Sequence, residues 1–137
     1  MKKQFVAGAV LFLLGLLALP AYGQGPSIRV NIPFQFTVGD KTYPSGEYAL
    51  SAMKEDVLLL EKDGRWRIGL FGVNHVTGRN KPSQVRFQCY DHQCFLSQVW
   101  ISGLDDGFET RRSRMEEEVA GRTTGKYVAL MGTVPQR

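Results

Sequence analysis

The chain has 137 residues, 17 basic and 13 acidic side chains, a formal net charge of +4 and two cysteines. That length supports one core rather than several domains, and no fixed-period repeat or long linker divides it. Two of the positive charges, Lys2 and Lys3, sit in a segment with the features of a leader, and what remains is too weakly basic to argue for nucleic acid.

In that leader, residues 6–19 form a fourteen-residue run without a charged or polar side chain. Pro20 breaks it, and Ala21-Tyr22-Gly23 places small residues three and one before a cut between Gly23 and Gln24. Charged start, apolar run and small-residue site are the order of a signal peptide. As a helix the run spans about 21 Å, short of the roughly 30 Å of bilayer hydrocarbon, so no permanent membrane anchor is expected after cleavage. No cysteine follows the run to carry a lipid. The expected organisation is a signal peptide over residues 1–23 and a single β-rich domain over residues 24–137, periplasmic or extracellular.

Through residues 28–38, Ile28, Val30, Ile32, Phe34, Phe36 and Val38 alternate with polar or small partners. This period of two predicts a strand with one buried and one wet face. Pro33 has no amide hydrogen, so the strand lies at an edge or bends there. Turns follow at Gly39-Asp40-Lys41 and Pro44-Ser45-Gly46, and then Tyr48, Leu50 and Ala52 share a face. Residues 57–61 are a short apolar run before the turn Lys62-Asp63-Gly64. Residues 66–76 carry Trp66, Ile68 and Leu70 on one side and Phe71 and Val73 on the other, a strand covered on both faces at its middle. After the break at residues 78–82, two strands over residues 84–90 and 93–101 are separated only by Asp91-His92, which predicts a tight hairpin. Its turn needs positive φ, which Asp tolerates better than His.

Residues 102–109 read as a loop. Ser113-Arg114-Met115-Glu116 is a capping box, Glu116 to Glu118 suit a helix N-terminus, and Gly121 can end the helix. Arg112 with Glu116 and Arg114 with Glu118 stand four apart, as surface ion pairs do, and Met115 with Val119 supplies an apolar stripe for docking. A last strand covers residues 126–131. The expected fold is mainly β: an antiparallel up-and-down meander of about seven strands, closed as a small barrel or folded over as a sandwich, with one short C-terminal helix before the last strand.

Ile32-Pro33-Phe34-Gln35-Phe36-Thr37-Val38-Gly39, followed by Tyr43-Pro44-Ser45-Gly46-Glu47-Tyr48, resembles the opening of an uncharacterised family of small exported bacterial proteins. Its members share an IPF-x-F-x-VG stretch and a P-x-G-x-Y turn. Phe95-Leu96-Ser97-Gln98-Val99-Trp100 and the charged helix at residues 113–120 extend the resemblance over most of the mature chain. It implies a compact exported β domain and carries no catalytic or ligand residue. Members usually lack a cysteine pair, so the pair here is a departure.

Cys89 and Cys94 face each other across the predicted hairpin, at a non-hydrogen-bonded position with Cα atoms about 4.5 Å apart, and export favours oxidation. A structural disulfide is expected. A metal site from Cys89, His92 and Cys94 lacks a fourth ligand and a standard spacing, and the pair is not C-x-x-C. His75 and His92 lack the sequence context of a catalytic triad. Asp105-Asp106-Gly107 with Glu109 lacks the ligand spacing of a calcium loop. Neither metal nor cofactor is expected. Arg65, Arg67, Arg79, Lys81 and Arg86 form a basic set that suits either solvated strand faces or a polyanion such as a surface polysaccharide. Phe34, Phe36, Tyr48, Trp66 and Phe87, with Phe95 and Trp100, line an apolar pocket if the sheet closes around a void, and otherwise fill the core.

The functional expectation is an exported, non-catalytic β domain acting by binding or as a structural component of the envelope. Its partner is then an envelope protein, an apolar ligand or a surface polysaccharide. The alternatives are a lipocalin-like carrier of an apolar small molecule and a small hydrolase with scattered site residues.

Overall fold

The computed structural model describes residues 25–54, 56–63, 65–78 and 81–135. The signal segment with its Gly23–Gln24 site, and Arg79 of the basic set, lie outside them. The strands are β1 (Ser27–Ile32), β2 (Phe36–Val38), β3 (Lys41–Tyr43), β4 (Gly46–Lys54), β5 (Val57–Lys62), β6 (Trp66–Thr77), β7 (Gln84–Tyr90), β8 (Gln93–Trp100), β9 (Asp106–Thr110) and β10 (Lys126–Met131). The helix α1 (Arg114–Ala120) precedes the last strand, as expected, and the architecture is mainly antiparallel β.

The period-two segment is split where Pro33 stands, and β1 and β2 emerge on either side of the bend. β1 pairs with β4, which pairs with β5, which pairs with the first part of β6. The second part of β6, Val73 to Thr77, pairs with β9, which leads through β8 and β7 to β10. The sheet is not closed by a ladder. Its outer strands meet at one bridge, where Arg29 N–H donates to the Thr133 carbonyl at 2.8 Å and the Thr133 N–H returns a bond at 2.9 Å. The curled sheet wraps a single core of Ile28, Val30, Ile32, Leu50, Leu58, Leu60, Val85 and Val99, each almost wholly buried.

Strand directions define two ends. Lys54, Thr77, Gln84, Trp100 and Asp106 lie at the upper end, and Ile32, Gly46, Trp66 and Tyr90 lie at the lower one. β9 is short and ends at Thr110, opposite Val73, which leaves a gap low in the wall. The β2–β3 hairpin fills the core side of that gap: β2 runs parallel to β8, Phe36 opposite Cys94. Residues 66–72 of β6 consequently pair with β5 alone.

α1 docks differently from its sequence pattern. Its Ser113 cap accepts the Glu116 N–H at 3.2 Å, as a capping box requires. Met115, however, is exposed, and Glu116, only 6% exposed, is the side chain that turns to the sheet. Tyr90 and Phe95 form the platform beneath, with ring centroids 5.9 Å apart.

Candidate functional site

Four of the five aromatic residues expected to line a pocket converge at the lower end. Phe36 lies 5.0 Å from Tyr48 and 5.7 Å from Phe87, both edge to face, and Phe34 lies 5.0 Å from Phe87. Rings at these separations touch, so the side chains occupy the space they were expected to enclose. The Tyr48 hydroxyl donates to the Pro44 carbonyl. Burial, with Asp63 and Tyr43 nearby, raises its pKa. Trp66 is a correction. It is 67% exposed, at the lower end of β6 opposite Lys62.

The hairpin forms as predicted, with Cys89 opposite Cys94 and Tyr90 opposite Gln93. The two cysteines form a disulfide, with Cα atoms 4.0 Å apart. Asp91 alone takes up the positive φ, at 53°, which relieves His92 of it. Both thiols being consumed, they are not free to ligate a metal beside His92. Among the described residues no group of three His, Cys, Asp or Glu is placed to hold an ion. Asp106 and Glu109 are three apart on one strand and therefore face opposite sides of the sheet.

The basic residues do not gather. Arg65 and Arg67 stand at the lower end of β6, Lys81 lies 4.4 Å from the Trp100 ring at the upper end, and Arg86 lies 4.7 Å from the Tyr127 ring on the outer face. Nor does the first strand offer an apolar patch, since Ile28, Val30 and Ile32 are in the core. The large exposed apolar side chains are elsewhere, Trp66 and Leu70 on β6 among them.

The upper end is built from loops and carries two concavities. One, of about 750 Å³, lies between Thr77–Gly78, Lys81–Pro82 and residues 102–106. Trp100 stiffens this rim. A Cβ on Gly78 or Gly107 would come within 2.5 or 2.6 Å of its ring, so both strands approach the indole as only glycine allows. Trp100 Nε1–H donates to Gln98 Oε1 at 3.0 Å, and Arg86 donates to the same oxygen at 3.1 Å.

The second concavity, of about 300 Å³, shares the 104–106 loop and sits directly on the core. Phe108 is its floor, Pro26, Ala52 and Leu104 its apolar walls, and Lys54, His75, Asp105 and Asp106 its rim. His75 and Phe108 are register partners with rings 5.4 Å apart. His75 Nδ1 is 3.9 Å from Asp106 Oδ2, with both side chains about half exposed. That is ion-pair range for a protonated imidazole, and too long for the hydrogen bond that orients a catalytic base. The sequence marked His75 and Asp106 but not their neighbours. Leu104, an apolar residue inside a polar loop, was the one available signal. Among protein-family models, curated proteins and solved structures, nothing matches this chain.

Proposed function

We propose that this is an exported, non-catalytic binding component that takes a small apolar group at the upper end of the sheet. The observation that carries the reading is the apolar concavity over Phe108, ringed by Lys54, His75, Asp105 and Asp106. An apolar floor with a few polar groups at its edge suits an apolar side chain of an envelope partner or the short tail of an amphiphile. The lower end, packed with rings, argues against a deep lipocalin-like cavity. Export is supported by the disulfide, which persists in oxidising compartments, and by the resemblance of the IPF-x-F-x-VG opening to small exported proteins. Among the described residues no helix is long and apolar enough to cross a membrane.

Native mass spectrometry of gently purified protein, with solvent extraction, tests both parts. The N-terminus is expected at Gln24 or within a few residues of it. Bound apolar material, or a partner captured by crosslinking from the rim, should be lost in Leu104→Lys, which places a charge in the concavity. Binding that survives this substitution would remove the upper end as the site.

A further inference from the structure

We propose that the concavity between the exit of α1 and the outer face of β7 binds the carboxylate of an acidic sugar chain, with the exposed Tyr127 ring as the platform for the adjoining sugar.

After α1 has packed over Tyr90 and Phe95, the chain returns through residues 121–125 to start β10. The return leaves a concavity of about 380 Å³, lined by Gln88, Arg112, Arg122, Thr123 and Thr124 among others. Among the described residues no Asp or Glu lines it. Gly125 lets the return pass close to the sheet, since a Cβ there would lie 2.3 Å from Gln88 Nε2. Both arginines are held by the same nitrogen. Arg112 pairs with Glu116 through Nε at 3.5 Å, and Arg122 donates through Nε to the Glu118 carbonyl at 3.4 Å. The terminal nitrogens of both are left for a ligand, and a guanidinium fork matches a carboxylate with two parallel bonds.

The groups that would oppose an anion here are engaged. A helix C-terminus carries partial negative charge on its last carbonyls. Those of Glu117 and Val119 accept backbone N–H groups from residues 121–123, and that of Glu118 accepts from the Arg122 side chain. Glu116 is turned to the Tyr90 hydroxyl and to Arg112, and burial favours its neutral form. Glu118 is paired with Arg114 at 3.6 Å.

The remaining groups suit a sugar better than a bare ion. Gln88, Thr123 and Thr124 can both donate and accept, as sugar hydroxyls do. Tyr127 stands directly opposite Gln88 in the β7–β10 ladder, so it borders the concavity on the same face, and it is 60% exposed. Its ring offers an apolar body with a polar tip, and Arg86 lies 4.7 Å from it. Arg86 and the exposed Lys126 carry positive charge along the strands, which suits a chain of charged units. Glu109, opposite Gln98 on β8, marks where that track ends. The volume lies low in the roughly 300–1,000 Å³ range of small-molecule sites, so the concavity takes one charged ring and the strands take its neighbours.

Isothermal titration calorimetry of the purified, oxidised protein at low ionic strength tests this. The probes are oligogalacturonate, a neutral maltooligosaccharide of the same length, inorganic sulfate and oligoglutamate. Oligogalacturonate should bind in preference to the other three, and more weakly as salt is raised. Its affinity should fall at least tenfold in Arg122→Gln and at least threefold in Tyr127→Ala, and stay unchanged in Leu70→Ser, an exposed position on β6. Circular dichroism and thiol titration establish that each variant retains the fold and the disulfide. Absence of oligogalacturonate binding at millimolar concentration, or an affinity indifferent to Arg122→Gln, overturns the proposal. So does equal binding of the neutral oligosaccharide or of sulfate, which would leave no acidic-sugar preference. Tighter binding of oligoglutamate, undiminished in Tyr127→Ala, overturns it in favour of an acidic peptide. None of these substitutions touches the concavity over Phe108, so the result is independent of the upper-end site.

Discussion

The two ends of the curled sheet are finished with different chemistry. At the lower end Phe34, Phe36, Tyr48 and Phe87 pack ring against ring, and a disulfide pins the hairpin beside them. At the upper end loops of Gly, Asp and Ser surround two concavities, and one indole held between glycines gives the rim its shape. The difference separates packed rings from exposed loop groups. Buried rings hold the lower end by area removed from water, whereas the upper end keeps its groups exposed and available.

Four substitutions sharpen or break this division. Phe36→Ala empties the centre of the ring cluster and should cost about 3–5 kcal/mol in denaturant unfolding, a large share of the about 5–15 kcal/mol that holds an ordinary domain. A cost below about 1 kcal/mol would mean that the rings do not hold the lower end. Replacing both cysteines by Ser removes a loop constraint worth about 2 kcal/mol on chain-entropy arithmetic, and calorimetry should show a lowered Tm with the fold retained.

Glu116 is the third and depends on pH. Burial raises its pKa, against the opposing pull of the Tyr90 hydroxyl at 3.2 Å and the Arg112 guanidinium at 3.5 Å. A carboxyl whose pKa is higher folded than unfolded lends stability that is complete below its unfolded value and is lost as pH rises through its folded value. Wild type should therefore lose stability relative to Glu116→Gln as pH rises from the ordinary carboxylate range through its raised folded value, as read by urea midpoints at each pH. A difference that stays constant over that window would show that the carboxyl is not buried as described. The smallest effect belongs to the upper end: Leu104→Ala should change stability by less than about 0.5 kcal/mol, while reducing whatever binding the rim supports.

The strands with alternating residues were legible because burial on one face leaves a period of two in the sequence. Pro33 marked the division of β1 from β2, and the two-residue spacing at Asp91-His92 fixed the hairpin register and hence the disulfide. β9 was not legible. Asp105-Asp106-Gly107 has the composition of a turn, yet Asp106–Thr110 is a strand because β6 and β8 offer unpaired backbone on both sides. β3 has only three residues and no pattern to read. Trp66 was misplaced because a period of two assigns a face and not a position along the strand, and this residue stands at the strand's end. Glu116 was read as a surface charge because nothing local announces that Tyr90, 26 residues earlier, supplies its partner. The upper-end concavity draws on Pro26, Ala52, His75 and Leu104, which no spacing rule connects.

The bridge between Arg29 and Thr133 has a consequence for how the chain reaches this state. It ties residues near the two ends of the described chain, so the contact cannot be made until almost the whole polypeptide has been synthesised. Closing so large a loop is costly in entropy, and neither partner belongs to a local hairpin that could form early. The β4–β5–β6 and β7–β8 ladders can assemble from neighbouring segments, while the joining of β1 to the strand after β10 waits for them. The seam is thus set to be the last part of the sheet to form in refolding and the first to open in native-state exchange, a slow step placed by topology rather than by proline or disulfide chemistry.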